Sequence, residues 1–220
     1  MFENYPKKRS VLPKEIAAIY ESHYASNRSG RTAAASLSQR LERWMHRQVA
    51  ADVRVKREEM GATLEIGAGN LNQLKFEPHS TIYDIIEPAA FFYQDSPELG
   101  RVRHIYNDIS EVPTEARYDR ITAIAAFEHI CDLPQVVART GLLLTENGSL
   151  RSAIPSEGTF LWTLGWKLTT GLEFRRRYKQ DYGILMRHEH VNDANEVRTV
   201  LQYFYQRVQT TVLGLSRGIS

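Results

Sequence analysis

A short apolar run containing Glu65 leads straight into two close glycines, Gly67 and Gly69, in the stretch "TLEIGAGN". Ala68 lies between the glycines and Asn70 follows them. Eighteen residues after Gly69, a second apolar run, "YDIIEP", closes on Glu87 and Pro88. Glycines let a backbone approach a ligand with no Cβ in the way. The amide groups of a turn that opens a helix can meet a polar tail. A carboxylate at the end of the following strand can accept from both hydroxyls of a ribose. Together these residues can hold a nucleoside. Two plainer readings stand beside that one: a bare glycine turn, and a Glu87 whose charge only favours a helix N-terminus.

Other residues could move a proton. "AAFEHICD" places Glu128 and His129 after a long apolar run. An imidazole with a pKa near neutrality suits a general base, and the alternative is a pair that merely caps the next helix. "MRHEHVN", residues 186–192, alternates His188 and His190 around Glu189. On a strand both rings would face one side. They could act as bases or, with a third ligand, hold a metal. No third ligand stands out, so no metal centre is expected. Otherwise the segment is a loop leading to a helix at Asn192. Cys131 reads as a packing residue.

The elements that must position these groups follow from periodicity. Residues 1–13 read as an irregular arm, with a short helix over Lys14–Tyr24 and a turn at "SNRSGR". Leu37, Leu41, Trp44, Met45 and Val49 recur at helical spacing and predict a helix from Ala33 to Glu58. These helices form an N-terminal cap over residues 1–60. From Thr63 strand, turn and helix alternate, with strands expected at 62–66, 81–86, 102–106, 120–125 and 149–154. That alternation implies an α/β fold, a mostly parallel sheet with helices on both faces. Ligands of such sheets sit at the carboxyl ends of the strands. Residues 61–155 then form the core and 156–190 an insert. A helix over 192–203 and a strand over 206–214 complete a single domain.

The insert contains "GTFLWTLGWKLTTGLEFRRRYK". Phe160, Leu161, Leu164 and Leu168 can make one helical face, with Trp162 and Trp166 on another side. Arg175, Arg176, Arg177 and Lys179 follow. This is either a substrate lid whose cations reach phosphate or carboxylate, or a packed helix with a solvated charged face. An apolar-then-basic order also suits contact with a membrane surface.

"LEIGAGN", "IIEP", "YNDIS" and "YDRITAIAAFEHICDLPQVV" together resemble the class I S-adenosylmethionine-dependent methyltransferases, in the broad bacterial group with "EH" after the fourth strand. The resemblance covers residues 60–155 in register and 185–215 more loosely. It implies a Rossmann-like sheet of seven strands, the last antiparallel, and methyl transfer from S-adenosylmethionine. It sets Glu65, Gly67 and Gly69 at the methionine end of the cofactor and Glu87 on the ribose. It puts Asp108, with Ile109, at the adenine amine, and Ala126, Phe127, Glu128 and His129 beside the transferring methyl group. Asp108 could equally cap a short helix. The N-terminal cap and the "EHVN" segment resemble methyltransferases of bacterial surface-glycan pathways, which implies a small sugar-linked acceptor, and the basic run of the insert suggests an anionic one.

The chain departs from the group's pattern in two places. Asn70 stands where a third glycine is common, and only a few residues follow the last expected strand, so either the final antiparallel strand is missing or the chain is truncated. A dinucleotide GxGxxG would need glycine at Asn72, which counts against a nicotinamide oxidoreductase. "AAFEHI" lacks the Pro-Pro-aromatic run of base-amine methylating enzymes. A catalytically silent binding module is the remaining alternative.

Composition sets outer bounds. The 220 residues suit one domain with a full core. A net charge of +2 gives no support for nucleic acid as partner. One cysteine excludes an internal disulfide. "MFENYPKKRSVLPKE" lacks the apolar stretch of a signal peptide, and no run is long enough to span a bilayer. A cytoplasmic enzyme acting on a small-molecule acceptor is expected; the sequence does not set its oligomeric state.

Overall fold

The structure is a computed structural model that describes residues 2–16, 33–53, 61–79, 82–155 and 171–212. Most of the first expected helix, the "SNRSGR" turn and residues 156–170 with Trp162 and Trp166 lie outside the described residues.

Five parallel strands form one sheet: β1 (Thr63–Ile66), β2 (Tyr83–Ile86), β3 (Val102–Tyr106), β4 (Tyr118–Ile124) and β5 (Leu144–Ala153), in the order β3-β2-β1-β4-β5. The chain steps outward from β1 to β3, then crosses to the far side of β1. β1 and β4 are therefore neighbours with diverging exits, the arrangement that opens a crevice at the carboxyl edge. β1 and β2 are buried along their whole length, as central strands covered on two faces should be.

Side chains alternate between two layers. Leu64, Ile66, Ile86, Ile121 and Ala123 face a core shared with α2 (Leu133–Leu143) and α5 (Ala194–Phe204). Ile124 faces Met45 and Val49 of α1 (Ala33–Val49) on the other side. The N-terminal cap thus takes the form of a sheet layer. Asp132 caps α2 by accepting from the Gln135 amide, with Pro134 in the first turn. Asp193 and Glu196 form a capping box on α5. Two short helices, α3 (Leu172–Tyr178) and α4 (Tyr182–Glu189), precede α5. They are joined through Phe174 and Leu185, buried against Ile16.

Four expectations are corrected. α1 ends at Val49, not Glu58, and residues 50–53 are a turn. Its last carbonyls are taken by arginines of the sheet: Val49 O accepts from Arg120 at 2.8 Å and Arg151 at 2.7 Å, and Gln48 O accepts from Arg151. Those bonds occupy the acceptors that a longer helix would use. β4 and β5 begin earlier than expected, at Tyr118 and Leu144, paired across a register shift beside Asp119. His188 does not lie on a strand: Asp181 caps α4 through the Gly183 amide, and the helix carries His188 in its last turn, with His190 just beyond. Residues 205–212 form no strand beyond an isolated bridge at Val212, and no seventh or antiparallel strand occurs among the described residues.

Candidate functional site

Because all five strands run one way, their carboxyl ends deliver four loops to one edge. The loop after β1 carries Gly67 and Gly69, both with positive φ, at 69° and 50°. Gly67 is required twice over: a Cβ there would sit 2.7 Å from the Ala126 Cβ, across the β1–β4 crevice. A Cβ on Gly69 would meet nothing within 4 Å, so open space lies above that residue. Leu71, also left-handed at φ 62°, then starts a short 3-10 helix, Asn72–Phe76, where a full α-helix is usual.

Glu87 leaves β2 and reaches back to this turn. Its Oε2 accepts from the Gly69 amide at 2.9 Å and its Oε1 from Ala89 at 3.0 Å. A carboxylate offers about four lone-pair sites, so each oxygen keeps one for a hydroxyl donor. Pro88 is exposed beside it. Glu65 lies beneath the turn, 1% exposed, accepting from the Tyr83 hydroxyl at 2.9 Å. Burial pushes its carboxyl up to about 8, Glu77 and Glu87 adding to the rise against Tyr83 and Arg120.

After β3, Asp108 caps the helical turn Ile109–Glu111. Its Oδ1 accepts from the Ser110 amide at 2.9 Å and hydroxyl at 2.6 Å, which holds the carboxyl below its ordinary range. The cap reading weighed in the sequence is therefore present. Oδ2 accepts nothing among the described residues. Ile109 is buried.

After β4, Ala125 adopts a left-handed φ of 49°, and Phe127–His129 make a tight 3-10 turn. Phe127 and Glu128 are buried. His129 Nδ1 lies 2.9 Å from the Glu189 carbonyl oxygen. A carbonyl can only accept, so Nδ1 carries the proton and Nε2 keeps its lone pair. Nε2 is 4.0 Å from a Glu128 carboxylate oxygen. The His190 ring meets His129 edge to face at 4.7 Å. Burial first, then the neighbouring His190, lowers the His129 pKa, so the ring is neutral near pH 7. His188 is turned elsewhere, its Nδ1 against the Ser10 carbonyl. The structure thus brings His129 and His190 together and sets His188 apart.

Asn192 and the N-terminal arm are the residues packed around this loop that sequence reasoning missed. Asn192, 1% exposed, donates to the Phe127 and Ile130 carbonyls at 2.9 and 2.7 Å, while the Val191 amide donates to Glu128 O. These bonds tie the segment after α4 to the loop after β4. The arm then straps both. Tyr5 donates to Asn192, the Lys7 amide to Cys131 O, the Lys7 ammonium to Val191 O, and Arg9 to His129 O. The one available signal was "YPKKR", an aromatic and three cations in a stretch with no periodicity.

No protein-family model matches the sequence, and no curated protein matches it. Solved structures do match in shape. The plantazolicin methyltransferase BpumL in complex with SAH aligns with a TM-score of 0.57 at 12% identity, over 87% of this chain and 72% of that one. A proposed sarcosine dimethylglycine methyltransferase from Galdieria sulphuraria aligns with a TM-score of 0.51 at 17% identity, over 76% of this chain and 61% of that one. This chain spans about three fifths of that second protein's length. The fold is the Rossmann-like α/β fold of the class I S-adenosylmethionine-dependent methyltransferases. Among the described residues no helix is long and apolar enough to cross a membrane.

Proposed function

We propose that this chain is an enzyme that transfers a methyl group from S-adenosylmethionine to a small acceptor. The observation that carries the reading is the Glu87 carboxylate bonded to the Gly69 amide, with open space above Gly69, at the β1–β4 switch point. The residues fit that cofactor. Gly67, Ala68, Gly69 and Asn70 form a cradle that side chains would fill, Glu87 has acceptor sites left for a ribose, and Asp108 Oδ2 is available to an exocyclic amine. Glu65 lies beneath, bonded to Tyr83 of β2. Binding of SAH by the structural relative BpumL supports the same choice.

The cofactor's sulfonium supplies an already activated methyl group. The protein must therefore align an acceptor, exclude water and, for a hydroxyl acceptor, take a proton. His129 Nε2 holds the lone pair for that step. Glu128, close to Nε2, stabilises the imidazolium that forms, and the Glu189 carbonyl keeps the tautomer fixed. His190 packs edge to face against the base. An amine acceptor would need alignment alone.

Calorimetric titration with S-adenosylhomocysteine tests the cofactor assignment. Saturable binding is expected for the native chain. Glu87→Gln, which keeps the side-chain volume, should bind about tenfold or more weakly, since a charged hydrogen bond is worth roughly 1.5–3 kcal/mol. Equal affinity in a variant with an unchanged melting temperature would remove Glu87 from the site. Binding without turnover on any acceptor would make the chain a binding module.

A further inference from the structure

A second concave site lies outside the nucleoside cradle. It is a wide-mouthed, solvent-open cleft of about 610 Å³ between the N-terminal arm and the end of α4. Its walls include Asn4, Lys7, Lys8, Ser10, Arg187 and His190, and no acidic residue lines it. The volume suits a small molecule.

The charges around the cleft do not cancel within it. Glu196 is taken by Lys7, at 2.5 Å, and Glu189 faces Arg9, at 3.5 Å. Asp181 is committed to capping α4. Lys8 and Arg187 form no ion pair or hydrogen bond among the described residues. Two cations that form no ion pair among the described residues line one concavity and focus a positive potential there. A guanidinium fork and an ammonium on opposing walls suit a tetrahedral oxyanion, the first by paired donors and the second as a point charge. A phosphate monoester carries a charge near −2 at neutral pH, which matches the two cations.

We infer that this cleft binds the phosphate group of the methyl acceptor, with Lys8 and Arg187 as its ligands. The inference rests on the methyl-transfer reading only for the role of acceptor; the anion site stands on the cleft itself. His190 joins the two sites, since it lines the cleft and its ring touches His129. An acceptor anchored by its phosphate on Lys8 and Arg187 lies beside His190, whose ring packs on the base. The substrate class is therefore a small phosphorylated alcohol or sugar.

The test titrates the full chain with glycerol 3-phosphate, with inorganic phosphate, and with malonate as a carboxylate control. The native chain should bind both phosphate probes saturably and more tightly than malonate, with affinity falling as salt rises. Lys8→Ala/Arg187→Ala should weaken glycerol 3-phosphate by about tenfold or more, and Arg187→Lys by less, because the charge survives while the fork is lost. S-adenosylhomocysteine affinity and melting temperature should stay unchanged in every variant. Undiminished phosphate binding in the double variant, no phosphate binding by the native chain, or a preference for malonate would each overturn the inference. Binding of glycerol 3-phosphate without binding of S-adenosylhomocysteine would leave the anion site standing and overturn its assignment to a methyl acceptor.

Discussion

His129 is held by a carbonyl oxygen on one nitrogen and faces a carboxylate with the other, so its proton inventory is set by geometry. Its lowered pKa means that the neutral, basic form already dominates below pH 6.5. For a hydroxyl acceptor, turnover should rise with pH as His129 deprotonates, with a midpoint below 6.5, and then level off. His129→Ala should reduce turnover by about 10²–10⁴, the usual worth of a positioned base, while leaving S-adenosylhomocysteine affinity within about twofold. A pH–rate profile and a binding isotherm on the same variant check both halves, and unchanged turnover would reject His129 as the base. Gly67, Gly69 and Glu87 could be read from the sequence because short-range spacing fixes their relation. The His129–His190 contact could not. The two are 61 positions apart, and only the cap at Asp181, which turns the "HEH" segment into a helix end, decides which histidine points inward.

At the scale of elements, β1, β2 and β4 were legible as mainly apolar runs bounded by turn residues, β3 and β5 were placed by the strand–helix alternation, and parallel order follows from the segments between them. Boundaries were less so. The end of α1 depends on Arg120 and Arg151, which belong to other strands, so no window around Val49 contains the cause. The arm was legible only as irregular chain, because its order comes from bonds to residues more than a hundred positions away rather than from a periodic pattern of its own. Asn192 is where these elements meet. Its amide satisfies two carbonyls of the loop after β4, and its oxygen accepts from Tyr5. Asn192→Ala leaves a buried carbonyl, Phe127 O, without that donor, at a cost of about 1–3 kcal/mol, with the second bond adding to it. Urea unfolding should show a lower midpoint at an unchanged m-value. A midpoint within error of the native one would mean that the arm and the loop after β4 are not coupled through this side chain.

For the whole molecule, the consequential feature is charge buried beneath the glycine turn. Arg120, 3% exposed, pairs with Glu77 and Asp52 and so joins the turn after α1, β4 and the segment after β1. Gln73 bonds both Glu77 and His46 in the same layer. Glu65 sits within this layer as a carboxyl that burial keeps protonated at neutral pH, with a folded pKa of about 8 against an ordinary 4.5. A folded pKa above the unfolded one means that the native state binds the extra proton between those values. The stability it brings is fully present below about pH 4.5 and is lost as pH rises toward 8. His129 works in the opposite sense: its lowered pKa costs stability only as pH falls below 6.5. Between pH 6.5 and 8 the Glu65 proton therefore acts without that opposition. One proton corresponds to about 1.4 kcal/mol per pH unit, so the window removes about 2 kcal/mol. For a chain of this size that is a fall of about 4–8 °C in melting temperature. Glu65→Gln keeps an acceptor for Tyr83 and has no proton to lose, so its melting temperature should stay nearly flat over the same window and exceed that of the native chain above pH 8. Calorimetric scans at pH 6.5, 7.25, 8 and 9 on both proteins decide the matter. Parallel curves would show that Glu65 is ionised in the fold at neutral pH, and that the layer under the glycine turn carries one more negative charge.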